Sequence, residues 1–165
     1  SNYSAEMTAK AADILKGMGV PLTIHQPRYN MLDRWVENGE PSLCDVLLER
    51  GIGAAVFSPL AQGLLTDRYL SGNIPSDSRA ARDFSLKAST ITPELLQKIQ
   101  KLNALAAERG QSLAQMALAW TLKDDLVTSV IIGASSVAQI DDNLQAINNT
   151  KFSAEELALI DSIIG

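Results

Sequence analysis

At 165 residues, with 46% hydrophobic and 20% charged side chains, the chain is long enough for one domain with a sizeable core. A net charge of −5 and a pI near 4.8 leave no basic field for nucleic acid, and no run approaches the roughly 18 apolar residues of a membrane helix. The single cysteine, Cys44, excludes an intramolecular disulfide and a cysteine-based metal cluster, and the opening residues show no signal-peptide pattern, so a soluble, reducing, cytoplasmic setting is expected.

In chain order, Ser4 can cap a helix that runs to about Lys16, with Gly17 and Gly19 stopping it. The chain is in this helical pattern by Ala5, without an initiator Met or a lead-in strand, which reads as a cut edge. Val20 to Ile24 reads as a strand, with Pro21 near its start. A loop with Asn30 and Asp33 leads to a helix from about Pro41 to Glu49, ended by Gly51. A second strand, Gly53 to Phe57, follows. Residues 70–92 are rich in Ser, Gly, Asp and Arg and read as a long loop of the kind that is often functional.

Thr92 and Pro93 open a helix whose stripe is Leu95, Leu96, Ile99, Leu102 and Leu105, and Gly110 ends it. Ser112 caps another, with Leu113, Met116, Ala117 and Trp120 on one face. Thr128 to Ile132 reads as a third strand, β-branched and apolar. After Gly133-Ala134-Ser135-Ser136 comes a helix carrying Ile140, Leu144 and Ile147, with Ser136 and Gln139 at capping-box spacing. Ser153 and Glu156 repeat that spacing for a last helix. Apolar strands alternating with amphipathic helices indicate a parallel α/β sheet, leaving an open doubly wound sheet or a (β/α)8 barrel. No Gly-x-Gly-x-x-Gly opens a helix, which argues against the Gly-rich dinucleotide fold.

The segment Phe57-Ser58-Pro59-Leu60-Ala61-Gln62-Gly63-Leu64-Leu65-Thr66-Asp67-Arg68-Tyr69 holds the most information. A strand ending in an aromatic platform, a turn rich in backbone donors and a cation beyond it suit a flat ring attached to phosphates. The same residues also suit a buried strand, a Pro turn and a solvated Arg. The segment Gly133 to Asn143 repeats the theme, because a loop leading into a helix N-terminus offers N–H groups to phosphate. Ser135 and Asn143 are expected to be free of the capping role of Ser136 and Gln139.

His25 should point towards the covering helices as a structural residue if Gln26 points into a site, because strand residues alternate faces. Cys44, among Leu43, Val46 and Leu47, reads as a small buried residue. Asp141 and Asp142 point in different directions on a helix and form no metal site.

Four ordered stretches, Ser1-Asn2-Tyr3-Ser4, His25 to Asn30, Phe57 to Tyr69, and Ile132 to Ser135 with Gln139, Asp142 and Asn143, together resemble the aldo-keto reductases. The similarity is to the branch of potassium-channel β subunits and bacterial glyceraldehyde-3-phosphate reductases. The resemblance implies the C-terminal half of a (β/α)8 barrel over residues 1–165, with the N-terminal half absent. It implies NADP as cofactor and a small-molecule aldehyde or ketone as substrate. Ser1, Asn2 and Gln26, at the ends of the fifth and sixth barrel strands, would hold the nicotinamide carboxamide. Phe57, ending the seventh, would stack on the ring. Ser58, Pro59, Leu60 and Gln62 would line the pyrophosphate, and Arg68 the adenosine phosphate. Gly133, Ser135, Gln139, Asp142 and Asn143 would form the adenosine end, with Asn143 reading the adenine.

The family's Asp, Tyr, Lys and His acid/base set comes from the first four strands, so no catalytic residue is expected here. The isolated chain is expected to be inactive and to sit against its missing half or another copy. The alternative implied by the channel subunits is a cofactor-sensing regulatory or interaction subunit.

Overall fold

The structure, a computed structural model, describes residues 2–76, 78, 80–81 and 86–165. Its first helix, α1 (Ala5–Gly17), begins where Ser4 Oγ accepts the N–H of Met7 at 3.2 Å. It ends in a Schellman turn at Gly19, φ +74°, where Gly19 N–H reaches Lys16 O at 3.0 Å and Val20 N–H reaches Leu15 O at 2.9 Å. Val20 is thereby committed to the helix end. The expected strand from Val20 instead starts at β1 (Ile24–His25), past Pro21, which has no N–H for a ladder.

Helix α2 (Leu43–Arg50) starts two residues later than the sequence pattern suggests. Ser42 and Asp45 close a capping box, with Ser42 N–H on Asp45 Oδ2 at 2.8 Å and Asp45 N–H on Ser42 Oγ at 3.1 Å, so Pro41 lies outside. β2 (Gly53–Phe57) follows directly. α3 (Pro93–Glu108) and α4 (Leu113–Thr121) begin at Thr92 and Ser112, as their side chains dictate. β3 is Val127–Ile131, one residue earlier than expected, and Ser129 interrupts its apolar character. α5 (Val137–Leu144) and α6 (Ala154–Ile164) complete the order.

The three strands form one parallel sheet in the order β1-β2-β3. Contacts of β1 continue past its assigned end: Phe57 N–H donates to Pro27 O at 3.1 Å and Tyr29 N–H to Phe57 O at 3.3 Å. Side chains alternate as strand geometry requires. His25, Pro27 and Tyr29 are buried under the helices, while Ile24, Gln26 and Arg28 are exposed on the opposite face. Ala54 and Val56 continue the buried side on β2.

Between β2 and β3 the register slips by one, Ala54 facing Val127 and Ala55 facing Ser129, so Thr128 is a bulge residue. Gly53 permits it, because a Cβ there would stand 2.8 Å from Thr128 Oγ1.

The core lies between sheet and helices, built from Tyr29, Met31, Leu47, Leu65, Ile99, Leu102, Met116 and Trp120, with Ile160 of α6. Beyond Tyr69 the described parts of the loop reach into it: Ser78, Ala80 and Leu86 are buried. Residues 77, 79 and 82–85 of the expected loop lie outside the described residues.

The stripe Ile140, Leu144 and Ile147 does not join this core. With Val137, 74% exposed, it forms an open apolar face, Ile147 lying in the 3₁₀ turn that follows α5. On the other flank Met7, Ile14 and Met18 of α1 and its C-cap are also exposed. Among the described residues no helix is long and apolar enough to cross a membrane.

Candidate functional site

The parallel sheet brings the C-terminal ends of its strands to one rim. β2 ends at Phe57, with Arg28 bridging to it on one side and Ile131 paired to it on the other. The chain then turns through an unusual conformation. Ser58, Ala61 and Gln62 have φ of +56°, +46° and +60°, and Gly63 follows at +100°. Left-handed backbone at non-glycine residues costs on the order of 1–3 kcal/mol each and persists only where surroundings enforce it.

Here the enforcement is visible. Ser58 O accepts both Ala61 N–H and the Asn30 side-chain amide at 3.0 Å. Leu60 O accepts Gly63 N–H at 2.8 Å and Leu65 N–H at 3.2 Å, and Thr66 Oγ1 donates to Gly63 O at 2.7 Å.

This turn and the loop after β3 enclose a groove of about 810 Å³. Phe57, Ser58, Pro59, Leu60, Gln62 and Arg68 line one wall; Gly133, Ser135 and Gln139 line the other. The size is that of a small-molecule or cofactor site. Phe57 offers a half-buried ring at the strand end, and Arg68 the guanidinium fork that suits phosphate. Gln62 Oε1 is buried in the wall without a hydrogen-bond partner. A smaller groove of about 510 Å³ lies between α1 and the segment before α2; its lining holds Glu6 and Glu40 and no Lys or Arg, which disfavours phosphate.

Asn2, Gln26, Asp142 and Asn143 are not in the lining of this groove. Ser1 lies outside the described residues. Asn2 Oδ1 accepts Arg28 N–H at 2.9 Å, which ties it to the β1 run. Gln26 is exposed on the open face of that run; since ladder contacts continue to Tyr29, it sits inside the strand-like stretch and not at its end.

Asp142 is tethered to α4, its Oδ1 accepting from Gln115 Nε2 at 2.8 Å. Asn143 is buried, and its Nδ2 has no hydrogen-bond partner. Ser135 is not free of the helix cap. Its N–H and hydroxyl donate to Gln139 Oε1 at 2.8 and 3.2 Å, so the Gln139 side chain serves Ser135 instead of closing a box with Ser136. Ser136 Oγ still accepts Gln139 N–H.

His25 is buried, donates from Nε2 to Tyr3 O at 3.2 Å, and burial pushes its pKa down. Cys44 Sγ donates to Val36 O at 3.2 Å, and burial raises its thiol to about 11. Its alkylation by iodoacetamide at pH 8 should therefore run on the order of 100-fold slower than in the urea-unfolded chain; equal rates would contradict the buried setting.

Two features escape sequence reasoning. One is the role of Asn30, which the pattern assigns only to a loop; a buried amide pointing at a Ser-Pro turn becomes evident once the strands are aligned. The other is a buried cluster on the helix side. Tyr29 OH donates to Glu37 and accepts from Lys123 Nζ, and Lys123 lies 4.0 Å from the centre of the Trp120 ring. Burial, then the hydrogen bond to Glu37, raises the Tyr29 pKa far above that of a free phenol. Tyr29 is 1% exposed and absent from the groove lining, so this Tyr–Lys pair cannot deliver protons there. No separate signal marks it, because its members lie far apart in the chain.

A protein-family model described as "Aldo/keto reductase family" matches residues 1–165. Among curated proteins, L-glyceraldehyde 3-phosphate reductase of Escherichia coli K12 is 50% identical over 169 residues, covering 99% of this chain and 48% of the relative. A probable voltage-gated potassium channel subunit beta of Arabidopsis thaliana is 38% identical over 90% of this chain and 45% of its own length. The chloroplastic pyridoxal reductase of Arabidopsis thaliana is 34% identical over 96% of this chain and 41% of its own length. The chain thus spans about half the length of the curated relatives it matches.

Proposed function

The chain belongs to the aldo/keto reductase family, whose fold is a (β/α)8 barrel, and from that membership we propose that it forms part of an NADP-dependent oxidoreductase that reduces aldehydes or ketones to alcohols. The observation that carries this reading is the groove in which Phe57, the left-handed turn of Ser58–Gly63 and the Gly133–Ser135 loop meet beside Arg68.

The residues fit such a cofactor. Gln62 Oε1 is a buried acceptor in the groove wall without a hydrogen-bond partner; a ligand donor such as a ribose hydroxyl would relieve that cost, while towards the pyrophosphate only Gln62 Nε2 could donate. When bound, a reduced nicotinamide supplies hydride to the carbonyl carbon. Phe57 would stack on the ring and select the face it presents. Asn2 and Gln26 would hold the carboxamide, and Ser58, Leu60 and Gln62 the pyrophosphate. Arg68 would take the 2′-phosphate, joined by Ser135 only if its hydroxyl turns away from Gln139 Oε1, and Gln139, Asp142 and Asn143 would take the adenosine. The proton donor would come from polypeptide outside this chain.

Titration of the full-length protein with NADPH tests the reading. Phe57→Ala should weaken NADPH about 10-fold through lost stacking. Arg68→Ala should weaken NADPH roughly 10- to 100-fold while changing NADH less than about 3-fold, as expected for a charge-assisted phosphate contact. Absence of NADPH binding by the parent protein would sink the assignment.

The exposed apolar faces of α1 and α5 on opposite flanks support a further proposal, that the chain packs against the other half of the barrel or against a second copy. A second functional reading, a cofactor-sensing regulatory subunit, draws support from the relatives described as channel subunits. Slow or absent turnover of the intact protein, with retention on a membrane-protein partner, would decide for it.

A further inference from the structure

Ser58 stands where sequence alone makes its conformation hardest to hold. It is a non-glycine residue at φ +56°, and it precedes Pro59, which restricts residue 58 to extended backbone. One buried side chain meets it from the turn that follows the β1 run. Asn30 is 2% exposed and almost fully committed. Its N–H and C=O pair with Asp33 O and N at 3.2 and 3.1 Å, and its Oδ1 accepts Leu32 N–H at 3.0 Å. That anchoring leaves Nδ2 aimed at Ser58 O, which also accepts Ala61 N–H.

We propose that Asn30 is a positioning residue for the cofactor groove: its side-chain amide holds the Ser58 carbonyl inward and thereby sets the turn between the aromatic platform and the phosphate-lining residues. This inference rests on the reading of the groove as a nicotinamide nucleotide site. A carbonyl saturated by two donors presents no negative dipole end to an approaching phosphate. It also fixes where Phe57 stops and where Leu60 and Gln62 begin. Asn30 itself is absent from the groove lining, so it acts through Ser58.

The test is Asn30→Asp in the full-length protein, which keeps the shape and the Oδ1 contact to Leu32 and removes the donor to Ser58. Three probes are titrated: NADPH, reduced nicotinamide mononucleotide and adenosine 2′,5′-bisphosphate. The first two should weaken about 10-fold, while the third, which reaches only the far end of the groove, should change less than about 2-fold. Equal loss for all three would mean general loosening and would overturn the proposal, as would no loss for any. If the parent protein binds none of the probes, the nucleotide reading fails and this inference with it; if it binds them and the variant matches it, only the role of Asn30 fails.

Should Asn30→Asp not fold, the parent protein decides. The side-chain amide resonance of Asn30 should shift with reduced nicotinamide mononucleotide and stay in place with adenosine 2′,5′-bisphosphate. An unmoved resonance, or one moved alike by both, overturns the proposal.

Discussion

Arg109→Ala should lower the unfolding free energy of the full-length protein by about 2–3 kcal/mol, between the cost of breaking a surface ion pair and a fully buried one, because the Glu156 side chain is 27% exposed. The Arg109 side chain is 4% exposed at the end of α3. It pairs with Glu156 at 2.5 Å, donates to Gln111 Oε1 at 3.0 Å, and donates to Asn149 O and Lys151 O at 3.1 and 3.0 Å. Its guanidinium also lies 3.7 Å from the centre of the Phe152 ring.

Alanine leaves two loop carbonyls without these donors and detaches the start of α6. Lysine keeps the charge but loses the fork, so Arg109→Lys should recover only part of the loss. The Glu156 carboxyl is held below its ordinary value, first by Ser153 N–H and then by Arg109. Its contribution is present above the unfolded carboxylate pKa and disappears as pH falls through the lower folded value. Urea midpoints at neutral pH and at about pH 3 should therefore differ less in Arg109→Ala than in the parent protein. A neutral-pH loss under about 1 kcal/mol would show that the pair is not buried in the way described.

The isolated 165-residue polypeptide, given NADPH and a broad panel of aldehydes, should turn over no faster than a heat-treated control. The reason lies in protonation. Reduction of a carbonyl needs a proton donor whose pKa is near the working pH. Among the described residues the groove is lined by Phe57, the Ser58–Tyr69 turn and the Gly133–Gln139 loop, with Asp67 as its carboxylate, no His, and Tyr69 only 1% exposed with its hydroxyl turned to Ala80 N–H. His25 and Cys44 are occupied by backbone carbonyls, and the Tyr29 hydroxyl is locked between Glu37 and Lys123. Turnover well above the control would refute the division of labour proposed for the two halves. Sedimentation of the same sample should show association, driven by the exposed faces of α1 and α5; a stable, well-folded monomer would count against it.

Helix starts were the most legible part of the sequence, because each is written in one or two adjacent residues. Ser4, Thr92, Ser112, Ser136 and Ser153 all cap the helices expected from them, while Ser42 caps a helix that the pattern starts at Pro41. Strand limits were less legible. Val20 carries strand propensity but closes a helix, and the slip at Thr128 depends on a contact with Gly53 that no local pattern records. At the groove, Phe57, Arg68 and Ser135 could be chosen by residue type and position. The turn that separates them could not, since three left-handed residues in a Ser-Pro-Leu-Ala-Gln segment violate local preference, and the Ser58 carbonyl meets the side-chain amide of Asn30 from 28 positions away. Ser135 shows the reverse error: residue type suggested a vacant hydroxyl, and the neighbouring Gln139 claims it.

Asp161 of α6 pairs with Arg34, Arg34 pairs with Glu37, and Glu37 accepts from the hydroxyl of Tyr29, the residue immediately before Asn30. The last helix is thus wired, through four side chains, to the segment that shapes the rim on the far side of the sheet. Tags or truncations at α6 are poor engineering choices for this protein, for they would act on Tyr29 and its neighbour Asn30 from a helix that lies outside the groove lining.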